Sequence, residues 1–321
     1  LNTHPLIGEF QWDSDFQISF NKNKLRALDG TANAQIVGYG QWNDVVSVTE
    51  VGESLYNFYG YVCDGVYEDL RDLQTSPKPA HYPANGVFNR TNTVWVGDIK
   101  YKDLNGDGII DENDRTNIGS PLPKFTFGWT NTFRYKNFDL SIFLNGSYGN
   151  KVYNYMAMQL THMNSPWRNQ LNAVNDRAQI VAIDPGKDYS QGVNVNGVTV
   201  WNWYDDITNV RVSNSGTNTP RASIQDPNDN DRISDRYIED GSYIRLKNIT
   251  LGYTFPSKLI NKWGLDNLRI YANIQNLLTI TGYDGYDPEI GASTASMNVY
   301  GLDNGRYPSP TVYSFGLNIS F

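Results

Sequence analysis

At 321 residues with a net charge of −8, the chain repels polyanions, which argues against nucleic acid as a partner. Its apolar fraction of 39% is below the roughly 45–50% of globular domains, aromatics reach 13%, and no run of about 18 apolar residues offers a transmembrane helix. A membrane barrel remains compatible with this composition, because only alternate strand residues face lipid.

In chain order, Phe10, Trp12, Phe16, Ile18 and Phe20 alternate with Gln11, Asp13, Asp15, Gln17 and Ser19, the pattern of a strand with one apolar face, expected to be the first of the barrel. Residues 34–65 offer short strand candidates at 45–48 and 56–59, adding either none or two to the barrel. Cys63 stands alone, which excludes an intrachain disulfide framework and favours a plain buried or loop residue over a nucleophile. Residues 71–92, with three prolines, read as irregular loop. His4, His81 and His162 are scattered, against a His-based zinc site.

Residues 103–114 read Asp103-Leu-Asn105-Gly-Asp107-Gly108-Ile109-Ile-Asp111-Glu-Asn-Asp114, within an acidic stretch at 98–119. Side-chain oxygens fall at positions 1, 3, 5 and 9, with glycine at 6, a backbone carbonyl available at Ile109 and a carboxylate at 12, the spacing of a calcium loop. Calcium suits this donor set better than magnesium. Asp114 is shorter than the glutamate usual at the last position, and the extended look of 94–97 argues against a true EF-hand. The competing reading is a turn whose Asn and Asp side chains bond their own backbone.

Two strands follow. Phe125, Phe127, Trp129 and Phe133 alternate with small polar residues, then Phe138, Leu140, Ile142 and Leu144 do the same, joined by a turn at 135–137. Apolar spacing at Met156, Leu160 and Met163 and at Trp167, Leu171 and Val174 predicts two short helices broken at Pro166, packed against a barrel rim. Residues 186–230 are a polar loop, functional or disordered, from which Trp201, Trp203 and Tyr204 stand out as candidates for substrate contact, with loop packing the alternative. Strands around 249–255 and 268–274, joined by a turn at 256–266, precede a polar loop at 282–310. A last strand runs to Phe321, with Tyr313, Phe315, Leu317 and Ile319 on one face.

The run from Gly97-Asp98-Ile99-Lys100-Tyr101 to Asp111, then Asp114-Arg115-Thr116, Ile118-Gly119-Ser120-Pro121 and Tyr135 to Ser141, resembles the SusC/RagA-type TonB-dependent outer-membrane transporters. So do residues 12–25, Phe58-Tyr59-Gly60-Tyr61 with Asp64-Gly65, 235–248 and 307–321, in order along most of the chain. Only the last part of such a protein is matched, with nothing resembling a signal peptide, TonB box or plug. The resemblance implies an all-β fold, an antiparallel transmembrane barrel segment supplying part of a 22-stranded wall, with upstream sequence or another chain supplying the rest. It implies import of oligosaccharides or peptides captured with a SusD-like surface lipoprotein and driven by TonB through the missing N-terminal region. Phe321 resembles the terminal aromatic signal for insertion into outer-membrane lipid.

Because such barrels have short periplasmic turns and long outer loops, 135–137 and 256–266 are expected on the periplasmic side and 28–122, 151–240 and 282–310 outside, on six strands. Catalysis finds little support and an enzyme is a weak runner-up: there is no Gly-x-Ser-x-Gly elbow, phosphate-binding loop or Cys/His cluster. The alternative is a soluble extracellular all-β domain that binds calcium and binds or degrades glycans.

Overall fold

The computed structural model describes residues 1–30, 34–41, 43–291 and 298–321. Residues 31–33, 42 and 292–297, inside two of the segments expected to be extracellular, lie outside the described residues.

Seven antiparallel strands form one meandering sheet in chain order: β1 Asn2–Ile7, β2 Phe10–Ser19, β3 Phe125–Tyr135, β4 Phe138–Tyr148, β5 Tyr243–Thr254, β6 Asn267–Thr281 and β7 Val312–Ser320. Its connections are short at one end (8–9, 136–137 and 255–266) and long at the other (20–124, 149–242 and 282–311). The expected six strands become seven, because β1 precedes the segment taken as first. Pro5 hid it: a proline cannot donate to a ladder, yet it is tolerated on an edge strand, and here it falls in the register break between Thr3 and Leu6.

Alternation decides what each face does. On the apolar face Phe16 stacks on Phe127 at 6.2 Å, Phe125 on Tyr148 at 5.2 Å, and Phe138 lies 4.7 Å from Tyr253. This face is left open: Phe138 and Leu251 are about half exposed and Phe315 is 84% exposed, a band that water would penalise and lipid would not. Polar side chains interrupt it. Ser14 and Asn131 face each other across the β2–β3 ladder, and each takes an indole N–H, Trp129 to Ser14 at 2.9 Å and Trp12 to Asn131 at 3.0 Å. The opposite face is polar. Arg134 pairs with Asp13 at 2.5 Å, and Arg269 grips Asp139 at 3.0 and 2.5 Å across β5. A Cβ at Gly252 would stand 2.3 Å from the Arg269 guanidinium, so only glycine lets that pair cross.

The cores lie beyond the sheet, in the long connections. One gathers Tyr67, Leu73, Val94, Trp95, Val96 and Ile99; the other gathers Val46, Phe58, Tyr153, Tyr155 and Leu302. The strands Gln35–Tyr39, Val45–Glu50 and Asn57–Gly60 join Thr116–Gly119 in a separate four-stranded sheet, so 34–65 adds no strand to the barrel wall.

Two local expectations are corrected. Leu70–Thr75 is a helix inside the stretch expected to be irregular, started by the Asp69 side chain accepting the Asp72 N–H. Of the two helices expected at 155–177, Tyr155–Thr161 forms. After Pro166 there is only a 3₁₀ turn, Asn172–Asp176, and Trp167 is 92% exposed, because the second stripe finds no surface to cover. The polar stretch 186–230 is ordered, with Val193–Val195 paired to Val198–Val200 and Val210–Val212 to Ile180–Ala182.

β1 and β7 have no outer neighbour among the described residues. Hydrocarbon leaves no partner for an open ladder edge, so the sheet is a sector of a larger closed wall. Neighbouring residues on β5 test the two faces. Ile249, opposite Ile142 and Ile274, faces outward, and Ile249→Arg is expected to cost about 2–4 kcal/mol of barrel stability, whereas Thr250→Arg on the polar face costs far less. Heat-modifiable electrophoretic mobility of the assembled protein reads the difference, and equal losses would reverse the assignment of faces.

Candidate functional site

At the long-connection end, the polar face of the sheet and residues 287–291, 300 and 306–310 border a cavity of about 660 Å³, lined among others by Thr126, Ser147, Tyr243, Glu289, Tyr300 and Arg306. Ionic contacts build it. Arg245 on β5 is buried and donates to Thr279 at 2.8 Å, to Glu289 at 2.7 Å and to Asp287 at 2.5 Å. Lys247 is skipped by the register on both sides of β5, and this bulge sends its ammonium to Glu289 at 3.0 Å. Burial disfavours the Asp287 carboxylate, but the Glu289 N–H, Arg245 and the Ser309 N–H outweigh it and hold the group below the usual carboxylate range. The polar segment is thus tied to the barrel wall by charge. Sequence reasoning missed this site, since its partners lie more than forty residues apart and Glu289 sits in a stretch whose only signal is polarity.

The acidic loop forms as a cinched turn. Asp103 accepts the N–H groups of Gly106 and Gly108 at 2.6 and 2.8 Å, Asn105 that of Asp107, Asp107 that of Ile109 and Asp111 that of Asn113. Asp114 is fully buried, and its two oxygens take the N–H groups of Leu104 and Asp111 at 2.8 and 2.9 Å. The Gly108 N–H above all holds the Asp103 carboxyl below its ordinary value, with burial opposing. The donor chemistry suits a hard cation: Asp103, Asn105, Asp107 and Asp111 present oxygen, while Asp114 braces the loop from inside. The carboxylates do not converge, however. Among the described residues, the one set of three or more His, Cys, Asp or Glu whose ligating atoms lie within 4.8 Å of one another is His162, Asp226 and Asp231.

That set belongs to a buried polar chain between the two cores. His162 bonds Asp226 at 2.8 Å through one ring nitrogen and Asp231 at 2.9 Å through the other. Asp226 in turn holds Asn230, Asn230 donates to Asp98 at 3.2 Å, and Asp98 takes Arg221 at 2.7 and 3.2 Å together with the Trp95 N–H at 2.8 Å. The only sequence signal for this chain was the density of Asn and Asp at 226–231.

Trp201, Trp203 and Tyr204 are exposed as expected, with Trp203 edge-on to Tyr204 at 5.8 Å and Arg90 over the Tyr204 ring at 5.1 Å, but none of them lines the mouth cavity. Phe321 follows β7 at the short-turn end and is 86% exposed. Burial pushes the Cys63 thiol up to about 12, leaving no thiolate for chemistry near neutrality.

A wide antiparallel wall with an open apolar face, a polar inner face and a large ordered outer lobe defines a transmembrane β-barrel sector. The comparisons agree. The chain is 32% identical over its whole length to TonB-dependent receptor P3 of Formosa agariphila, covering 28% of that protein, and 31% identical over 99% of its length to receptor P26 of the same organism, again covering 28%. It is 25% identical over its whole length to TonB-dependent receptor SusC of Bacteroides thetaiotaomicron, covering 26% of it. The structure of the RagAB peptide transporter superposes on all of the chain with a TM-score of 0.66 at 17% identity, covering 28% of that chain. No family model matches. Along its whole length the chain is thus similar to TonB-dependent receptors, SusC among them, and it spans just over a quarter of the length of the relatives it matches.

The buried histidine is expected to make the lobe at the long-connection end sensitive to pH. Burial opposes its charge, but the hydrogen bonds and charges of Asp226 and Asp231 prevail and raise His162 from 6.5 to about 9. A raised folded value means that the stabilisation is complete below pH 6.5 and drains away as pH climbs through about 9. Hydrogen exchange at 226–231 should therefore speed up between pH 7 and 9 beyond its intrinsic rise, and His162→Gln should remove the excess. An unchanged excess in the variant would contradict it.

Proposed function

We propose that this segment supplies wall strands and the outer rim of an outer-membrane importer, which takes up oligosaccharides or peptides with a SusD-like surface lipoprotein, energised by TonB through parts of the receptor outside this chain. The observation carrying this reading is the cavity of about 660 Å³ at the barrel mouth, where Tyr243, Tyr300 and Arg306 stand beside anchored carboxylates, a combination suited to sugar faces or peptide groups. Long outer connections and short periplasmic turns set its orientation. No catalytic role is assigned to any residue.

Uptake is the test. In cells carrying the full receptor, Tyr300→Ala with Arg306→Ala is expected to lower uptake at limiting substrate by about tenfold, on the order of 1.4 kcal/mol, with normal barrel levels. Alanine at Trp201, Trp203 and Tyr204 tests the same role for the outer aromatics. Parental uptake in both variants would remove the substrate reading while leaving the fold assignment intact.

The acidic loop is proposed to hold calcium, or less readily magnesium, through Asp103, Asn105, Asp107, Asp111 and the Ile109 carbonyl, with Asp114 bracing it, so that an ion orders the outer lobe and performs no chemistry. Replacing Asp103 and Asp107 by alanine should then lower the melting temperature in calcium but not in chelator. Equal melting of variant and parent in saturating calcium would discard the ion.

A further inference from the structure

The periplasmic turn between β5 and β6 is more than a connection. It carries a short helix, Ser257–Ile260, continued by the 3₁₀ turn Asn261–Trp263 and closed by Gly264 at φ 71°. Ile260 is buried, whereas Leu259 and Trp263 are 45% and 62% exposed. Lys258 and Lys262 are exposed too, and Asp266 is the one acid in the segment. The turn is fixed to the wall by the Phe255 N–H donating to Leu268 and the Asp266 N–H donating to Ser320, each at 2.9 Å. Toward the same end of the sheet, the outward face of β4 to β7 dips into a groove of about 510 Å³, bordered by Phe138, Leu251, Tyr253, Ile270 and Phe315. The dip exists because Ala272, level with Leu251 and Phe315 in the register, puts a methyl where its neighbours put large side chains.

We propose that this groove and turn form a binding site for one anionic phospholipid of the periplasmic leaflet. An acyl chain fills the dip over Ala272, Trp263 and Leu259 sit at the interface, and Lys258 and Lys262 hold the headgroup phosphate. Charge complementarity selects this occupant. Of the other basic residues at this end, Lys136 already has Glu9 at 3.7 Å, and Arg134 and Arg269 are engaged with Asp13 and Asp139 on the polar face, which leaves the two turn lysines for a lipid anion.

The site rests on the membrane placement argued above, and the experiment separates the two. The full receptor is delipidated in detergent, titrated with phosphatidylglycerol or with phosphatidylethanolamine of the same acyl chains, and examined by native mass spectrometry. The parent should retain one phosphatidylglycerol in preference to phosphatidylethanolamine. Lys258→Gln with Lys262→Gln should lower that retention by about tenfold and erase the preference, two interfacial cations supplying this much. Ala272→Phe, which fills the dip, should lower retention of both lipids. Heat-modifiable mobility of the same samples reports whether the barrel has formed. If Ala272→Phe does not assemble, the lysine pair decides alone, since its side chains are exposed. A formed barrel whose lipid retention is the same in parent and lysine variant overturns the lipid site only, whereas a parent without a formed barrel overturns the membrane placement.

Discussion

Hydrocarbon offers a backbone N–H or C=O nothing to bond, and the architecture follows from that one constraint. Every wall strand must be paired along its length, so the sheet is an unbroken meander whose neighbours in sequence are neighbours in space. The same constraint reaches side chains. Ser14 and Asn131 would be costly on the outward face, and the two tryptophans beside them turn an aromatic membrane contact into a source of hydrogen bonds. Polar groups elsewhere on the wall are turned inward, where the Arg134–Asp13 and Arg269–Asp139 pairs tie adjacent strands together.

Outside the membrane the logic inverts. The long connections face water and must generate their own cores, and they do so with aromatic clusters built around Trp95 and Tyr153. Between the cores runs the chain from His162 through Asp226 and Asn230 to Asp98 and Arg221. Such a network favours one arrangement of the surrounding loops, because each buried polar group is costly once its partner moves. Breaking the Asp98–Arg221 pair alone would cost about 3–5 kcal/mol. Asp98 was one of the residues that carried the family resemblance, and its place in the structure gives that motif a physical reason: it fixes the chain just before the acidic loop begins.

What was legible in the sequence was local. Period-two alternation marked β2 to β7, because a wall between lipid and polar interior imposes opposite chemistry on successive residues. It failed at β1, where Pro5 breaks the pattern, and at Trp167, where helical spacing exists without a surface to bury it. The acidic loop was legible as a chemical spacing, and the structure shows how far its side chains already serve their own backbone. The mouth cavity was illegible for a different reason. Arg245 reads as one more polar residue of an alternating strand until residues from more than forty positions further on fold back over it.

That arrangement explains how a segment poor in apolar residues is held over a barrel mouth. A polar loop cannot be fixed by burial, and surface ion pairs are individually weak. Arg245 escapes this limit because it is buried and its guanidinium spreads over Thr279, Asp287 and Glu289 at once, joining the wall to the loop through a planar group matched to carboxylates. Lys247 adds a second, more exposed contact to the same Glu289. The two contacts differ in burial, so the firmer hold on the loop is the buried one at Asp287.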